Sequence, residues 1–347
     1  MYYLLLIMCI TVAGFLLGMQ QKEKKMIRLF LVFSFLCIGV LIAFRDVTVG
    51  ADTESYMKWF TETRQYASAE RFPFEPGNYY LFSALQHISK DPQIIFVFEA
   101  IVVGVCYGCF IYKNVDTVLE AYIAVLSYLA FQLFSFNLCG YRQSIAMCIC
   151  VVAYELIKKK KLVWFVLVIA FAAQFHSSAW MFLAAYIISL GNAQYGKLIA
   201  AVFTIFSVFN FEKVFEFATL LDDRYEKYGM EETGNGFIFF AVLLVITLFV
   251  EIGKSKENDL SIRQIDKMIN INYFTLGLWV LRLFTRTAER PAMYFFPATM
   301  IVTSSLPKML VDKMEKHTHK IFVSAICVFL IILFFVRSIR TPYSFCW

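Results

Sequence analysis

Lysine and arginine are distributed unequally between the two sets of loops that separate the apolar segments of this chain. One set carries 16 lysines and two arginines, whereas the other carries ten arginines and four lysines. Short lysine-rich loops are typical of the cytoplasmic side of a membrane protein. The arginines on the opposite side need another explanation, and arginine is well suited to bind phosphate through paired hydrogen bonds. The distribution therefore predicts an outward-facing site for an anionic, phosphorylated ligand.

Three arginines spaced four residues apart are strong candidates to bind that ligand: Arg282, Arg286 and Arg290. On one continuous helix they would share a face, and like charges at that spacing repel each other. Pro291 disfavours helical geometry at Arg290, which we therefore expect just past the helix end. An anionic ligand would relieve the repulsion, whereas the alternative is that these side chains extend to lipid headgroups.

Arg142 is a further candidate because it begins an apolar segment directly after a Gly-Tyr corner. An arginine at a helix entrance is often only an anchor at the membrane interface. The neighbouring Asn137 and Gln143 carry amide groups that could bind a sugar. We therefore predict that this corner belongs to the ligand site.

Three outward-facing groups could act as a general base: His176, Glu75 and Asp52. His176 lies between two short apolar segments, and the ordinary histidine pKa of about 6.5 suits proton transfer at neutral pH. Glu75 and Asp52 each precede a predicted helix, so either could instead be an N-cap. A capping carboxylate accepts backbone N–H bonds, which makes it a poor base. We rank His176 first, Glu75 second and Asp52 third.

The elements that must position these residues are apolar helices. The chain has 347 residues, of which 60% are hydrophobic and 17% charged, and its mean hydropathy is +0.66. These values predict an all-α polytopic integral membrane protein in which residues 1–347 form one membrane domain. With the first loop inside and both termini outside, we predict twelve transmembrane helices at about 2–19, 27–44, 93–112, 121–138, 142–157, 162–175, 178–190, 198–212, 236–252, 268–285, 291–307 and 321–337.

The apolar run at residues 162–190 decides the orientation of everything that follows it. One long helix there would place the later lysine-rich loops outside, against the positive-inside rule. We therefore predict two short spans with a break near His176, since broken spans are tolerated where they line a polar cavity.

Residues 45–92 form the one large predicted extracytoplasmic loop. The sequence from Gly50 to Tyr56 predicts a turn that leads into a helix. Pro76 predicts the start of a second helix, because proline is favourable at the first helical position. We expect both helices to lie along the membrane surface. Their aromatic side chains are predicted to stack on sugars, namely Tyr56, Trp59, Tyr79 and Tyr80.

Other chemistries lack a supporting motif. The chain has no Gly-rich phosphate loop and no His-Glu-x-x-His pattern, and we expect neither a metal nor a cofactor. Most of the nine cysteines fall within apolar segments, so they do not predict a disulfide framework. The net charge of +6 predicts contact with anionic lipid and not with nucleic acid.

The outer motifs, taken in order, resemble those of the EpsG family of bacterial exopolysaccharide proteins, which is related to the Wzy-type polymerases. The resemblance covers nearly the whole chain. The matching residues are Arg45 with Gly50-x-Asp52-Thr53-x-x-Tyr56, Glu75-Pro76-Gly77 with Tyr79 and Tyr80, Asn137 with Arg142-Gln143 and Ala146, Phe175-His176-x-x-Ala179, Arg290 with Tyr294-Phe295, and Pro342-Tyr343.

The resemblance implies a glycosyltransferase that builds a surface polysaccharide at the outer face of the bacterial cytoplasmic membrane. Its substrate would be a repeat unit on undecaprenyl diphosphate, and its other partners would be membrane lipids, a flippase and a chain-length regulator. By analogy alone, we expect a GT-C-like membrane glycosyltransferase fold. The predicted diphosphate-binding residues are Arg142, Arg282, Arg286, Arg290 and Arg45.

Two alternative functions stay open. A transporter or flippase for lipid-linked sugars would also need arginines, but in a cavity reached from both sides and often with inverted repeats. A membrane acyltransferase would use His176 as its base. Both are disfavoured because the unusual residues concentrate on one side of the membrane and no repeat is visible.

Overall fold

Helices make up the regular structure in the part of the chain that the computed structural model describes, namely residues 1–20, 23–191, 193–210, 212–213, 216, 236–254, 260–285, 288–338 and 342–346. Within those ranges the backbone forms no β-strand, and an isolated β-bridge joins Arg45 to Phe345. The predicted all-α class is therefore confirmed.

The first eight helices are α1 (Tyr2–Gly18), α2 (Glu23–Ala43), α3 (Thr53–Glu62), α4 (Pro76–Ile88), α5 (Ile94–Asn114), α6 (Val118–Ala130), α7 (Leu133–Cys139) and α8 (Tyr141–Lys158). The remaining helices are α9 (Leu162–Ala173), α10 (Leu183–Ile188), α11 (Ala193–Phe209), α12 (Gly236–Gly253), α13 (Leu260–Arg282), α14 (Glu289–Met293), α15 (Phe296–Leu310) and α16 (Lys316–Ser338). Short 3-10 helices occur at Thr63–Gln65, Ala69–Arg71, Ser177–Phe182 and Val311–Lys313.

The chain divides into two compact units. Unit 1 comprises Met1–Val152, Phe171–His176 and Lys320–Trp347, and unit 2 comprises Ala153–Ala170 and Ser177–His319.

Four helices are long and apolar enough to cross a membrane, among the residues that the structure describes: α2, α5, α12 and α16. A fifth span results if α6 and α7, which meet at a 45° bend, are counted together. Each predicted apolar segment overlaps a helix, but several of those helices are shorter than a span. The structure therefore supports a helical membrane protein with four or five candidate spans, and the count of twelve stays a prediction.

The predicted break near His176 is confirmed. Helix α9 ends at Ala173, a turn follows, and the backbone then enters the 3-10 helix Ser177–Phe182. Because the apolar run is interrupted there, the backbone groups of the turn become available to other partners.

In unit 1, the 45–92 segment folds on itself through aromatic and amide side chains. The ring centroids of Phe60 and Phe82 lie 5.8 Å apart, and Gln86 on α4 donates to the Phe60 carbonyl. Gln86 also accepts a hydrogen bond from Arg64 Nε at 2.9 Å. On α4, Phe82 is buried and Ile88 is 75% exposed.

The predicted turn before α3 requires glycine. Gly50 has a φ of +86°, and a Cβ atom there would lie 2.0 Å from the carbonyl oxygen of Leu138. Only glycine combines that conformation with so close an approach. The turn brings the start of α3 against the end of α7.

The C-terminal segment pairs with the end of α2. Asp46 donates its backbone N–H to Ser344 at 3.0 Å, and Cys346 donates to the Phe44 carbonyl at 3.1 Å. The Tyr343 hydroxyl donates to the Leu41 carbonyl at 2.9 Å. The Leu41 and Phe44 acceptors are carbonyl groups at the end of α2, where a helix leaves such groups unpaired.

In unit 2, helix α13 packs against α11, α12 and α15. Trp279 on α13 is buried and donates its indole N–H to the Gly236 carbonyl at 2.9 Å. At the other end of α12, Glu251 accepts from Lys197 and Tyr273, which ties α11, α12 and α13 together.

Candidate functional site

Arg142 lies at the centre of a buried polar site in unit 1. It stands in the first turn of α8, and its Nη1 atom donates to Glu75 Oε2 at 2.6 Å. The Arg142 and Glu75 side chains are only 9% and 13% exposed. The Arg142 guanidinium also stacks on the Phe74 ring, with Cζ 3.9 Å from the ring centroid. This geometry holds the planar cation in one orientation.

One donor of this guanidinium is unsatisfied. Arg142 Nε is buried and has no hydrogen-bond partner in the described part of unit 1. A buried donor without an acceptor costs about 1–3 kcal/mol, and more for a charged group. A bound anion is one way to satisfy it.

The turn at residues 174–176 packs against the start of α4. Gly77 donates its backbone N–H to the Gln174 carbonyl at 2.8 Å, and Asn78 Nδ2 donates to the Phe175 carbonyl at 2.9 Å. His176, which follows directly, is buried. The structure thus brings together the Glu75, Arg142 and His176 motifs, which are far apart in the sequence.

Tyr56 lies near both the Arg142 cation and the Asp52 carboxylate. Tyr56 is buried, and its ring centroid is 5.5 Å from that of Tyr141. Burial raises the pKa of the Tyr56 hydroxyl; the nearby Arg142 charge opposes this shift, and the charge of Asp52 adds to it. Both charges are therefore close enough to Tyr56 to act on it.

The expected capping roles of the two carboxylates were only partly correct. Asp52 and Glu75 do occupy the N-cap positions of α3 and α4, and Pro76 stands in the first turn of α4 as predicted. Neither carboxylate makes a capping hydrogen bond, however. Glu75 instead bonds to Arg142, and Asp52 is exposed. Because Asp52 makes no capping bond, capping does not weaken it as a base.

The predicted sugar-binding aromatics differ in accessibility. Tyr80 is 65% exposed, Tyr79 and Trp59 are partly buried, and Tyr56 is buried. Trp59 packs on Phe74 with ring centroids 4.2 Å apart, so the ring that stacks on Arg142 also contacts Trp59. Tyr80 and Trp59 keep surface on which a sugar ring could stack.

The two predicted sugar-binding amides are enclosed by protein. Asn137 is 1% exposed and Gln143 is 2% exposed. Asn137 donates to the Tyr128 hydroxyl at 2.8 Å, so this amide stabilises the packing of α6 on α7. As they stand, neither amide presents a surface to a sugar.

Arg45 is enclosed by protein and does not face an open site. Its guanidinium is completely buried and pairs with Glu99 at 3.1 Å. It donates to the Ile42 carbonyl at 3.0 Å and stacks on Phe96 at 3.7 Å. No face of Arg45 is left for a diphosphate in this arrangement. Glu99 was not predicted, although an acid inside an apolar span is a signal for a buried partner.

The other predicted arginines belong to unit 2. Helix α13 ends at Arg282, and Arg290 lies in the separate short helix α14, so the two do not share one continuous helix as considered above. Arg290 was expected outside a helix, but Pro291 is tolerated here because α14 begins only two residues earlier. Arg282 Nε donates to Glu289 Oε2 at 2.9 Å. Arg286 lies outside the described residues.

Among the described residues, no group of three or more His, Cys, Asp or Glu side chains is placed to hold a metal ion. All nine cysteines are free.

The helical architecture, the candidate spans and the buried arginine site describe a helical membrane protein with a buried polar site in unit 1. A family model described as the EpsG family matches residues 28–346. The chain therefore belongs to the EpsG family, which connects it with exopolysaccharide production. Comparison with curated proteins gives no match, and comparison with solved structures gives none either.

Proposed function

We propose that this chain is a polysaccharide polymerase, a glycosyltransferase that joins undecaprenyl-diphosphate-linked repeat units at the outer face of the cytoplasmic membrane. The observation that carries the proposal is the buried Arg142 guanidinium. It is oriented by Glu75 and Phe74, and its Nε donor has no partner in the described part of unit 1. Family membership points to the same chemistry.

The reaction breaks the bond between the anomeric carbon of one repeat unit and its diphosphate. The acceptor sugar hydroxyl forms the new glycosidic bond to that carbon and gives up its proton. The undecaprenyl diphosphate leaves with the electron pair of the broken bond. Its developing negative charge is stabilised by preorganised cations, and Arg142 is the first of these. Arg282, Arg286 and Arg290 stay predicted phosphate ligands.

His176 is our first choice for the base that takes the hydroxyl proton. The turn that carries it packs on the start of α4, next to Glu75. Glu75 is second because the adjacent Arg142 stabilises its ionised carboxylate and so weakens it as a base. Asp52 is third, and it is the most exposed of the three. Tyr80 and Trp59 would stack on sugar rings of the substrate.

The test uses full-length protein in liposomes and lipid-linked repeat units extracted from cells that lack the polymerase. Arg142→Lys keeps the charge but loses the planar fork, so we expect about ten- to a hundredfold weaker substrate affinity. Arg71→Lys makes the same change at an exposed arginine of the 45–92 segment and should have no effect. Polymer of normal length and rate from Arg142→Lys would exclude the proposed diphosphate site.

The base is tested in the same assay. A missing general base should lower the rate by about 10²- to 10⁴-fold, so His176→Gln should show that loss with near-normal substrate affinity. Near-normal turnover by folded His176→Gln, together with a slow Glu75→Gln or Asp52→Asn, would move the role to that carboxylate.

A further inference from the structure

We propose that a groove between α2 and α5 binds an anionic phospholipid of the cytoplasmic leaflet. The groove has a volume of about 720 Å³ and is lined almost entirely by apolar side chains. Both helices are candidate membrane spans and belong to unit 1. The proposal does not depend on the proposed polymerase activity.

The groove exists because small residues line its floor. Gly39 on α2 and Gly104 and Gly108 on α5 lack side chains, so the surface between the two helices is concave. Leu36 and Ile101 form part of the walls and are 64% and 60% exposed. The lining runs along α2 from Arg28 to Phe44, which at 1.5 Å per residue is roughly 24 Å. That length accommodates an extended lipid chain.

Charge identifies the kind of lipid. Arg28 and Lys113 line one end of the groove together with Tyr112. The Arg28 guanidinium lies 5.5 Å from the Tyr112 ring centroid, and Lys24 Nζ lies 5.8 Å from it. Asp116 is near this cluster, 3.5 Å from Lys24 Nζ, and both of those side chains are largely exposed. Arg28 and Lys113 have no carboxylate within salt-bridge distance among the described residues.

The position of the cations identifies the leaflet. Arg28 and Lys113 lie at the ends of α2 and α5 that are farthest from the 45–92 segment. The lysine-rich loops are cytoplasmic by the positive-inside rule, and the inner leaflet is rich in anionic lipid. A lipid with its phosphate at this end is therefore not the lipid-linked donor proposed for Arg142. Its acyl chains would lie along the apolar groove, and its phosphate would contact Arg28 and Lys113.

The experiment is native mass spectrometry of full-length protein purified from mixed phosphatidylglycerol and phosphatidylcholine with identical acyl chains. We expect one retained phosphatidylglycerol, in clear preference to phosphatidylcholine. The double variant Arg28→Gln/Lys113→Gln should lower that preference by about tenfold or more, because each cation near an anionic surface contributes to binding. The control Lys25→Gln/Lys316→Gln removes two exposed lysines that do not line the groove and should change it less than twofold.

A second variant tests the groove itself. Gly104 lines the groove, and a Cβ atom there would be in ordinary contact with Phe35 at 3.6 Å, so Gly104→Leu adds side-chain volume where the two helices form the groove. It should reduce retention of both lipids while the protein stays folded. Equal retention of the two headgroups by the unmodified protein would overturn the proposal. Full retention of lipid by Gly104→Leu would also overturn the proposal. The same holds if the protein retains a polyprenyl phosphate in place of phospholipid, or if a second copy of the chain covers α2 and α5.

Discussion

At the scale of single residues, the two buried arginines of unit 1 have different consequences. Each guanidinium has a buried Nε atom without a hydrogen-bond partner among the described residues, but the Arg45–Glu99 pair is fully enclosed, whereas the Arg142–Glu75 pair keeps some exposure. Enclosure makes the first pair a structural feature. The partial exposure of the second pair fits the proposed exchange of its carboxylate for a ligand.

The Arg45–Glu99 pair predicts a specific pattern of stability. Glu99→Gln leaves a buried cation uncompensated, so we expect the free energy of unfolding to fall by about 3–5 kcal/mol. Replacing both partners with apolar residues, as in Arg45→Met/Glu99→Leu, should cost less than the single change. Denaturation of the purified protein measures both effects, and Arg71→Met serves as the exposed control.

A double variant as unstable as Glu99→Gln would contradict mutual neutralisation. If the double variant is folded and still forms polymer, Arg45 also leaves the predicted diphosphate-binding set. Polymer loss in a stable double variant would return Arg45 to that set.

The residue types at the candidate site could be predicted from the sequence, but their partners could not. Helix signals correctly placed Asp52 and Glu75 at N-cap positions. The bond from Glu75 to Arg142 joins residues 67 apart, and no local pattern encodes such a contact. Phe74 was missed for the same reason, because an aromatic residue in a loop carries no signal of what it stacks on.

At the scale of elements, the close contact between α4 and the 174–176 turn positions His176. A Cβ atom on Gly77 would lie 2.5 Å from the Gln174 carbonyl oxygen, so Gly77→Ala must push the turn away. We expect a loss of about 1–3 kcal/mol in unfolding free energy and at least a tenfold loss of polymerisation rate. Thermal unfolding and the liposome assay measure the two effects.

Gly18→Ala is the matched control for that prediction, because its Cβ would meet only Val118 at an ordinary 4.0 Å. It should be neutral in both measurements. Full activity of Gly77→Ala would mean that the position of the turn does not matter for the reaction.

The positions where helices begin or are interrupted were predicted better than the stretches over which they run without a break. The interruption near His176 followed from an apolar run too long for one span in the required orientation, and the structure has it. The helical spacing of the three arginines left one continuous helix open, whereas Pro291 predicted that Arg290 lies just past a helix end. In the structure α13 stops at Arg282 and α14 starts at Glu289, since spacing alone does not require a helix to continue.

At the scale of the molecule, unit 1 gathers the chain ends at the end that carries the 45–92 segment. The C-terminal residues bond to the end of α2, and Tyr2 packs on Phe345 with ring centroids 4.9 Å apart. Single cysteines should therefore label alike at Glu70→Cys and at the native, exposed Cys346. With an impermeant reagent and intact cells, both should react, and Lys25→Cys should not.

Labelling of Lys25→Cys but not of Glu70→Cys would invert the orientation. Labelling of Glu70→Cys without labelling of Cys346 would contradict the arrangement of unit 1.

The number of spans was hard to predict because hydropathy identifies apolar helices without showing which of them cross the membrane. Several apolar helices, such as α9, are only about twelve residues long.

The Glu75 carboxylate acts as an internal anion on Arg142. Any ligand that binds this guanidinium must compete with a carboxylate already held at 2.6 Å, as well as with water. A weakly held monovalent anion such as chloride gains too little to displace it, whereas a diphosphate brings more charge and more acceptor oxygens. Glu75 would thus set a minimum affinity that a ligand needs in order to occupy the Arg142 site. Small monovalent cellular anions would leave the Arg142–Glu75 pair intact, and a multiply charged lipid headgroup would displace the carboxylate.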